Sequence, residues 1–314
     1  MTLAACTTAR LKLGTRIRIE QAPIASMQAS LPKGPAISPG QKLALVVQFT
    51  QPDGKILVTE GQGKGKVLWQ DLTVTASVVT ADQKGNIQLP DDPRTSDGKT
   101  AHVTITAPTH PDVRAELDIP IAYDYNFVAN FSGRPGSDGL SGTDGISGTP
   151  GSLGSIDPNN PSPGGDGGNG TDGSNGQDGG NGSSAPNVQV FITVRSGAHP
   201  LLQVSVSAAA ETRLYLVDPQ GGALTVKADG GRGGSGGRGG RGGRGGSGGS
   251  GTPNGNNGRD GADGRNGFDG SPGKGGSIRV AYDPQAKPFL ATLHLSNQGG
   301  PPPSFNEQSV APLW

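Results

Sequence analysis

Glycine occupies two of every three positions from residue 230 to residue 251, in the stretch GGRGGSGGRGGRGGRGGSGGSG. Only every third position carries a side chain, and each of these residues is arginine or serine. A backbone with three residues per turn places such side chains on one stripe and leaves two stripes bare, and the polyproline-II helix has this period. The stretch therefore favours an extended three-residue helix whose bare glycine stripes pack against other backbone segments.

Three other stretches also keep a glycine at every third position, so the chain contains four glycine-rich runs. We call them run 1 (133–156), run 2 (164–184), run 3 (230–251) and run 4 (255–278). A flexible linker gains nothing from a strict register, and ordering glycine costs backbone entropy that only dense packing offsets. The register therefore predicts a bundle of polyglycine-II helices joined laterally by N–H···O bonds.

Two further interpretations of the runs agree less well with the sequence. Collagen needs proline or hydroxyproline at about 15–20%, whereas the runs contain only Pro135, Pro150 and Pro272. An RNA-binding arginine–glycine tract usually interleaves aromatic residues, and run 3 has none. The 26 basic and 26 acidic residues cancel, so no nucleic-acid partner is expected.

The stripes of the four runs predict how the bundle is arranged. Run 3 has two bare stripes and should lie innermost, with runs 1 and 4 at the periphery. We expect Leu140, Ile146, Leu153 and Ile156 of run 1 to pack on a β-sandwich. The predicted core stripe consists of Gly230, Gly233, Gly236, Gly239, Gly242 and Gly245. Acidic stripes are expected to face a basic stripe and fix the register, through Asp166, Asp172, Asp178, Asp260 and Asp263 against Arg238, Arg241 and Arg244.

Alternating segments around the runs predict an all-β fold with essentially no α-helix. Residues 9–131 should form an immunoglobulin-like β-sandwich, residues 132–298 a second small, jelly-roll-like sandwich carrying the bundle, and residues 299–314 an extended tail. Residues 1–8 are set apart as a signal remnant. The predicted strands are 11–13, 16–19, 42–50, 55–59, 72–80, 86–89, 102–106, 115–120, 188–195, 201–207, 213–217, 223–228, 278–282 and 289–295.

A resemblance is carried by GGRGGSGGRGGRGGRGG between predicted strands and by the GRDGADGRNGFDG that follows. The region of about residues 133–296 resembles the polyglycine-II domains of bacterial surface proteins often labelled collagen-like. It is also similar to the glycine-rich ectodomain region of anaplastic lymphoma kinase receptors, to tip adhesins of some tailed phages and to glycine-rich arthropod antifreeze proteins. The resemblance implies an architecture, since these proteins differ in function.

No catalytic or metal-binding pattern is present in the sequence. None of the four histidines has metal-ligand spacing, and His102 and His294 fall in predicted strands. Calcium at the Asp/Asn stripe of run 2 is a minor alternative, because calcium-binding repeats of this kind have nine residues with an apolar position. We therefore expect no enzyme activity and no cofactor.

The lone cysteine, Cys6, is a candidate lipidation site. Leu3-Ala4-Ala5-Cys6 matches a bacterial lipobox, although only five residues precede the cysteine. One interpretation is a lipoprotein whose signal peptide is not part of this sequence, with the membrane as a partner only through that anchor. The other is a chance run of small residues.

Two classes of function remain open. The first is a secreted or outer-surface bacterial protein that binds copies of itself and forms a stiff unit of a filament, sheath or surface layer. The second is an adhesin that contacts a receptor or glycan through turns at the bundle tip. In the first case the tail is the expected subunit contact, through Pro301, Pro302, Pro303, Phe305, Leu313 and Trp314.

Overall fold

The computed structural model describes residues 16–197 and 199–314. Within these ranges the regular elements are β-strands and short 3-10 helices, and no α-helix occurs. The expected all-β class is confirmed. The predicted strand 11–13 lies outside the described residues.

The N-terminal part contains nine strands in three antiparallel sheets. The sheets have the orders β1-β3-β4, β2-β7-β6 and β5-β8-β9. Short 3-10 helices span Ile19–Gln21, Gly61–Gly63, Trp69–Asp71 and Pro93–Thr95. The strands are β1 (Ser26–Ser30), β2 (Lys42–Ala44), β3 (Val46–Thr50), β4 (Ile56–Val58), β5 (Thr73–Ser77), β6 (Thr80–Ala81), β7 (Asn86–Gln88), β8 (Thr100–Ala107) and β9 (His110–Pro120).

One hydrophobic core lies among these sheets. Strand β8 alternates buried and partly exposed residues, as expected for a strand with one face on a core. Phe49, Ile87 and Ile105 are fully buried there, and Trp69 packs with them. The Trp69 indole N–H donates to the Glu60 carbonyl at 3.3 Å, so its polar group is satisfied.

The C-terminal part contains eight strands in two sheets. A parallel sheet has the order β10-β14-β16, and a mixed sheet has the order β13-β12-β11-β15-β17. A 3-10 helix spans Pro284–Thr292. The strands are β10 (Asn126–Asn130), β11 (Val188–Arg195), β12 (Leu201–Ala208), β13 (Glu211–Val217), β14 (Ala223–Lys227), β15 (Ile278–Tyr282), β16 (Leu293–Ser296) and β17 (Ser304–Glu307).

A second, separate core shifts the domain boundary from the predicted position. Phe127, Ala129 and Phe131 are buried in this core with residues of β11, β12, β14 and β15. The boundary expected at residue 131 is therefore wrong, and the cores divide between Ile121 and Phe127. Strand β10 was missed because it runs directly into run 1.

Two predicted strands have a different structure. Residues 16–19 hold an isolated bridge from Ile17 to Val67 and the start of a 3-10 helix. Within 289–295, only the end belongs to a strand, since the 3-10 helix extends to Thr292. Conversely, β1 was not predicted, and it forms by pairing with β3.

The C-terminal segment folds back onto its own chain. Strand β17 pairs in parallel with β15, so the tail predicted as simply extended contains a strand. Beyond it, the Leu313 amide donates to Gln203 Oε1 at 3.2 Å, and Gln203 Nε2 donates to the Trp314 carbonyl at 3.2 Å. Of the residues predicted as a subunit contact, Leu313 and Trp314 therefore contact their own chain, whereas Pro301, Pro302 and Phe305 are exposed and Pro303 is partly buried.

The two parts meet around the Asp97 carboxylate. Asp97 Oδ2 forms an ion pair with Arg195 of β11 and accepts a hydrogen bond from the Trp314 indole N–H at 3.4 Å. Asp97 Oδ1 and the nearby Tyr123 hydroxyl are buried, and among the described residues neither forms a hydrogen bond of good geometry. Burial and the Asp97 charge raise the pKa of Tyr123, although the side chain of Ser96 lies close enough to act in the opposite direction, so the Tyr123 hydroxyl is neutral.

Candidate functional site

The four glycine-rich runs lie side by side and are joined by backbone hydrogen bonds that recur every third residue. Gly133 donates to Asp229, Gly136 to Arg232, and the series continues to Gly154 and Ser250 at 2.7–2.8 Å. These bonds join run 1 to run 3. Equivalent series join runs 2 and 1, runs 3 and 2, runs 4 and 3, and runs 2 and 4.

The pattern of bonds places two runs in the centre. Runs 2 and 3 each bond to all three others, whereas runs 1 and 4 bond only to runs 2 and 3. Runs 1 and 4 therefore lie at opposite corners, which agrees with the expectation that both are peripheral. The prediction that run 3 alone is innermost is wrong, because run 2 shares the centre.

The two sheets continue directly into the bundle. Phe131, which follows β10, donates its N–H to the carbonyl of Lys227, the last residue of β14, and the same sequence separation persists to Gly154 and Ser250. On the other sheet, Val188 N–H donates to the Ser277 carbonyl, and the same separation extends back along runs 2 and 4. Parallel strand pairing therefore sets the register of runs 1 and 3 and of runs 2 and 4.

The buried glycine stripe of run 3 is the neighbour of the predicted one. Gly233, Gly236, Gly239, Gly242 and Gly245, like Gly230, are only partly buried. The fully buried stripe consists of Gly231, Gly234, Gly237, Gly240, Gly243, Gly246 and Gly249. The predicted core stripe is thus one residue out of register, because the sequence alone does not distinguish two bare stripes.

Neither glycine stripe of run 3 has room for a side chain. A Cβ atom on Gly240 would overlap the backbone carbonyl of Thr143 in run 1. A Cβ atom on Gly239 would overlap the carbonyl of Gly264 in run 4. The GG repeat is therefore required by close backbone approach on two sides at once.

The acidic residues bind backbone amides, which corrects the expected pairing of charge stripes. In run 2, Oδ1 of Asp166, Asp172 and Asp178 accepts from run 4 amides at 2.7 Å. In run 4, Oδ1 of Asp260 and Asp263 accepts from the amides of Gly245 and Gly242, also at 2.7 Å.

Asparagine does the same at intervening positions. Asn169, Asn175 and Asn181 of run 2 accept from run 4 amides at 2.7–2.8 Å. Aspartate and asparagine both present an oxygen on Cγ, and this explains why they alternate. These side chains thus supply hydrogen-bond acceptors for backbone N–H groups of run 4.

The arginine stripe of run 3 is exposed. Within residues 16–197 and 199–314, Arg238, Arg241 and Arg244 form no ion pair with a carboxylate. The neighbouring Asp138 and Asp144 of run 1 accept backbone amides of run 3 at 2.8 Å. The arginines thus stand beside acidic residues whose hydrogen bonds go to the backbone.

The apolar residues of run 1 do not pack on a sandwich as expected. Leu140, Ile146, Leu153 and Ile156, together with Phe268 of run 4, have exposed fractions between 68% and 82%. Bare glycine stripes face the neighbouring runs, and the side-chain stripes consequently point to solvent.

The other features considered in the sequence are the lone cysteine, possible metal ligands and the histidines. Cys6 lies outside the described residues. Among the residues described, no group of three or more histidine, cysteine, aspartate or glutamate side chains is placed to hold a metal ion, and no helix is long and apolar enough to cross a membrane. His102 lies in β8, where Nδ1 is 2.7 Å from Asp118 Oδ1 on β9, and His294 lies in β16.

The fold defines an all-β protein with two cores and four laterally bonded glycine-rich runs. No protein-family model matches the chain, and no curated protein matches it. Function must therefore be argued from the geometry of this chain.

Proposed function

We propose that the chain is a non-enzymatic structural protein of a bacterial outer surface or secreted assembly, in which copies associate into a filament, sheath or layer. The four runs are interpreted as polyglycine-II helices. Their three-residue hydrogen-bond period is that of the polyproline-II class, in which 22 residues of run 3 span about 65–70 Å.

The observation that carries the proposal is the continuous lateral bonding from the sheets to the bundle tip. Bonds recur from Gly133 to Gly154 along run 1 and from Gly255 to Gly273 along run 4. Cross-linking of this density resists bending, which suits a load-bearing unit. A catalytic role would instead call for convergent titratable groups.

Self-association is supported by the exposed apolar side chains of the bundle. Exposed large apolar residues in soluble proteins are usually scattered singly. Here Leu140, Ile146, Leu153 and Ile156 follow one run, with Phe268 on another run of the same bundle. Sedimentation velocity across a concentration series, together with negative-stain microscopy, tests the proposal. Assemblies of the unmodified chain that become shorter in a Leu140→Ser/Ile146→Ser double variant support it. A monomer at every concentration contradicts it.

A second candidate function is adhesion through the bundle tip. The turn at residues 157–161 between runs 1 and 2 and the turn at 252–254 between runs 3 and 4 are exposed at the same end. Cell-binding assays with the residues 157–161 replaced by a Gly/Ser loop test this candidate. Binding that is unchanged by the replacement contradicts it.

A further inference from the structure

A cleft of about 820 Å³ lies between the two parts of the chain, on the side away from the bundle tip. Pro39, Gly40, Asp91, Asp92 and Arg94 form one wall. The other wall is formed by Tyr125, Phe127 and Val128 of the β10 region, by residues 211–215 of β13, and by Leu313. Its volume falls in the range of about 300–1,000 Å³ that is usual for small-molecule sites.

The second wall presents an aromatic surface. The rings of Tyr125 and Phe127 pack edge to face with centroids 5.4 Å apart, and Phe127 lies 5.9 Å from Tyr215. Phe127 is buried, whereas Tyr125 is 41% exposed. The buried Phe127 ring thus packs against the more accessible Tyr125 ring, and both rings line the cleft.

Both walls carry a carboxylate–guanidinium pair. Arg94 donates to both carboxylate oxygens of Asp92, at 2.6–3.0 Å, and the Arg94 hydrogen bonds lower the pKa of Asp92. Arg213 Nε donates to Glu211 Oε1 at 2.6 Å, and its guanidinium lies 4.6 Å from the Phe131 ring centroid. These planar groups are held in place before any ligand arrives, which lowers the entropic cost of binding.

The charges of the cleft decide which ligands it suits. Each arginine is already paired with a carboxylate, and Asp91 adds a further negative charge. An anionic ligand such as a phosphate would therefore meet a net acidic lining. A wholly apolar ligand would displace water from these partly exposed charged pairs without replacing the hydrogen bonds that the water supplies.

We propose that this cleft binds a neutral saccharide. The C–H face of a sugar ring stacks on an aromatic ring such as Tyr125, and its hydroxyl groups act as both donors and acceptors toward planar polar pairs such as Asp92–Arg94 and Glu211–Arg213. Burial raises the pKa of Tyr215, so its hydroxyl remains a neutral hydrogen-bonding group. The site is separate from the bundle tip and from the exposed apolar residues of run 1.

The test begins with a glycan array probed with the full chain, followed by calorimetric titration of the neutral oligosaccharide that binds most strongly. Tyr125→Ala is expected to weaken binding about tenfold by removing the stacking surface. Arg94→Ala, on the opposite wall, is expected to weaken binding by a similar factor, which shows that both walls contact the ligand. Phe305→Ala removes an exposed aromatic residue of β17 outside the cleft, and its affinity should equal that of the unmodified chain.

Several results would overturn the proposal. These are binding to no neutral glycan on the array, binding only to acidic glycans, and equal affinity of Tyr125→Ala and the unmodified chain. Unfolding curves for both cleft variants accompany the titrations. An unchanged unfolding midpoint assigns weakened binding to the cleft. If Tyr125→Ala unfolds, the other two variants decide the matter. Normal affinity of Arg94→Ala contradicts a ligand that contacts both walls, and loss of binding in Tyr125→Phe, which keeps the ring, contradicts stacking.

Discussion

Oδ1 of Asp172 accepts a hydrogen bond from the backbone amide of Ala262 at 2.7 Å, across 90 residues of sequence. The same separation recurs in every triplet from Asp166 to Asn187, including Asn256, Arg259, Arg265, Phe268 and Ser271 as donors. It equals the separation of the paired residues Val188 and Ile278 in the sheet. Side chains of run 2 thus repeat, triplet by triplet, the register that the strands establish.

Oxygen position, and not charge, is what these aspartates contribute, so Asp172→Asn should leave stability nearly unchanged. Asp172→Ala removes the acceptor of the Ala262 amide and should cost about 1 kcal/mol in the free energy of unfolding. Urea unfolding of the two variants measures the difference. A loss in Asp172→Asn as large as that in Asp172→Ala would show that charge matters instead.

Gly240→Ala should destabilise the chain strongly, by about 3 kcal/mol or more. The methyl group of the new alanine would overlap the Thr143 carbonyl and other backbone atoms of run 1, which cannot move aside as a flexible side chain could. Arg241→Ala, the next residue, changes an exposed side chain and should stay within about 0.5 kcal/mol of the parent. Thermal unfolding of both variants provides the comparison. Equal midpoints would contradict the close packing of run 3.

Insertion of one glycine after Gly240 should disrupt the bundle, because it moves the rest of run 3 out of its three-residue register with three neighbours. Insertion of a full Ser-Gly-Gly triplet at the same place keeps the serine on the exposed side-chain stripe and the glycines on the two bare stripes, and displaces only the turn at 252–254. We expect the single insertion to lower the thermal midpoint more than the triplet. Hydrogen exchange of the run 3 amides measures where protection is lost, and equal loss in both variants would contradict a register requirement.

At the contact between the two parts of the chain, Asp97→Ala should lower stability, whereas Tyr123→Phe should not. Asp97→Ala leaves Arg195 and the Trp314 indole without their acceptor, and should cost about 1–3 kcal/mol. Tyr123→Phe removes a buried hydroxyl that forms no hydrogen bond of good geometry among the described residues, so it should be neutral or stabilising. Calorimetric unfolding measures both, and a marked loss in Tyr123→Phe would reveal a partner for that hydroxyl.

Stability should fall in acid partly through Asp82. Burial acts to raise the pKa of Asp82, but hydrogen bonds from Lys42, Asn86 and Lys84 outweigh it and hold the pKa well below its usual range. Because the folded pKa is depressed, these interactions stabilise the fold above the ordinary value of 3.8 and are lost as the pH falls through the folded value.

Asp82→Asn should therefore cost about 1 kcal/mol at pH 7, with the difference from the parent shrinking progressively below pH 4. Asp53→Asn, in another exposed turn, is the matched control and should show little change at either pH. Unfolding by urea at a series of pH values tests this dependence. A constant difference between Asp82→Asn and the parent down to pH 2 would contradict it.

The sequence predicts the bundle more fully than it predicts the contacts within it. The three-residue period identifies the runs because a stripe without side chains lets another backbone approach closely enough for lateral hydrogen bonds. The sequence does not show which of the two bare stripes is buried, because Gly239 and Gly240, which represent the two stripes, are both glycine. The alternation of Asp172 with Asn175 was a usable signal, because indifference to charge indicates hydrogen bonding and not ion pairing.

The strands show a comparable division. Alternating apolar residues identify β8 and β11, whose buried faces are continuous. Strand β1, SMQAS, has weak strand propensity and arises through pairing with β3. The cleft could not be predicted from the sequence either. Tyr125 and Arg94 come from different parts of the chain, and only folding places them on the walls of the same cleft.

The continuity between sheets and runs limits how such a rod changes in length. A cross-sectional slice of the bundle contains one triplet from each run, and each triplet bonds to those beside it. Lengthening one run alone leaves its added amides unpaired, whereas adding a triplet to all four runs builds a complete new slice. With the polyglycine-II geometry that we propose for the runs, rod length changes in steps of about 9 Å, and related chains should differ by matched indels at four distant places in the sequence.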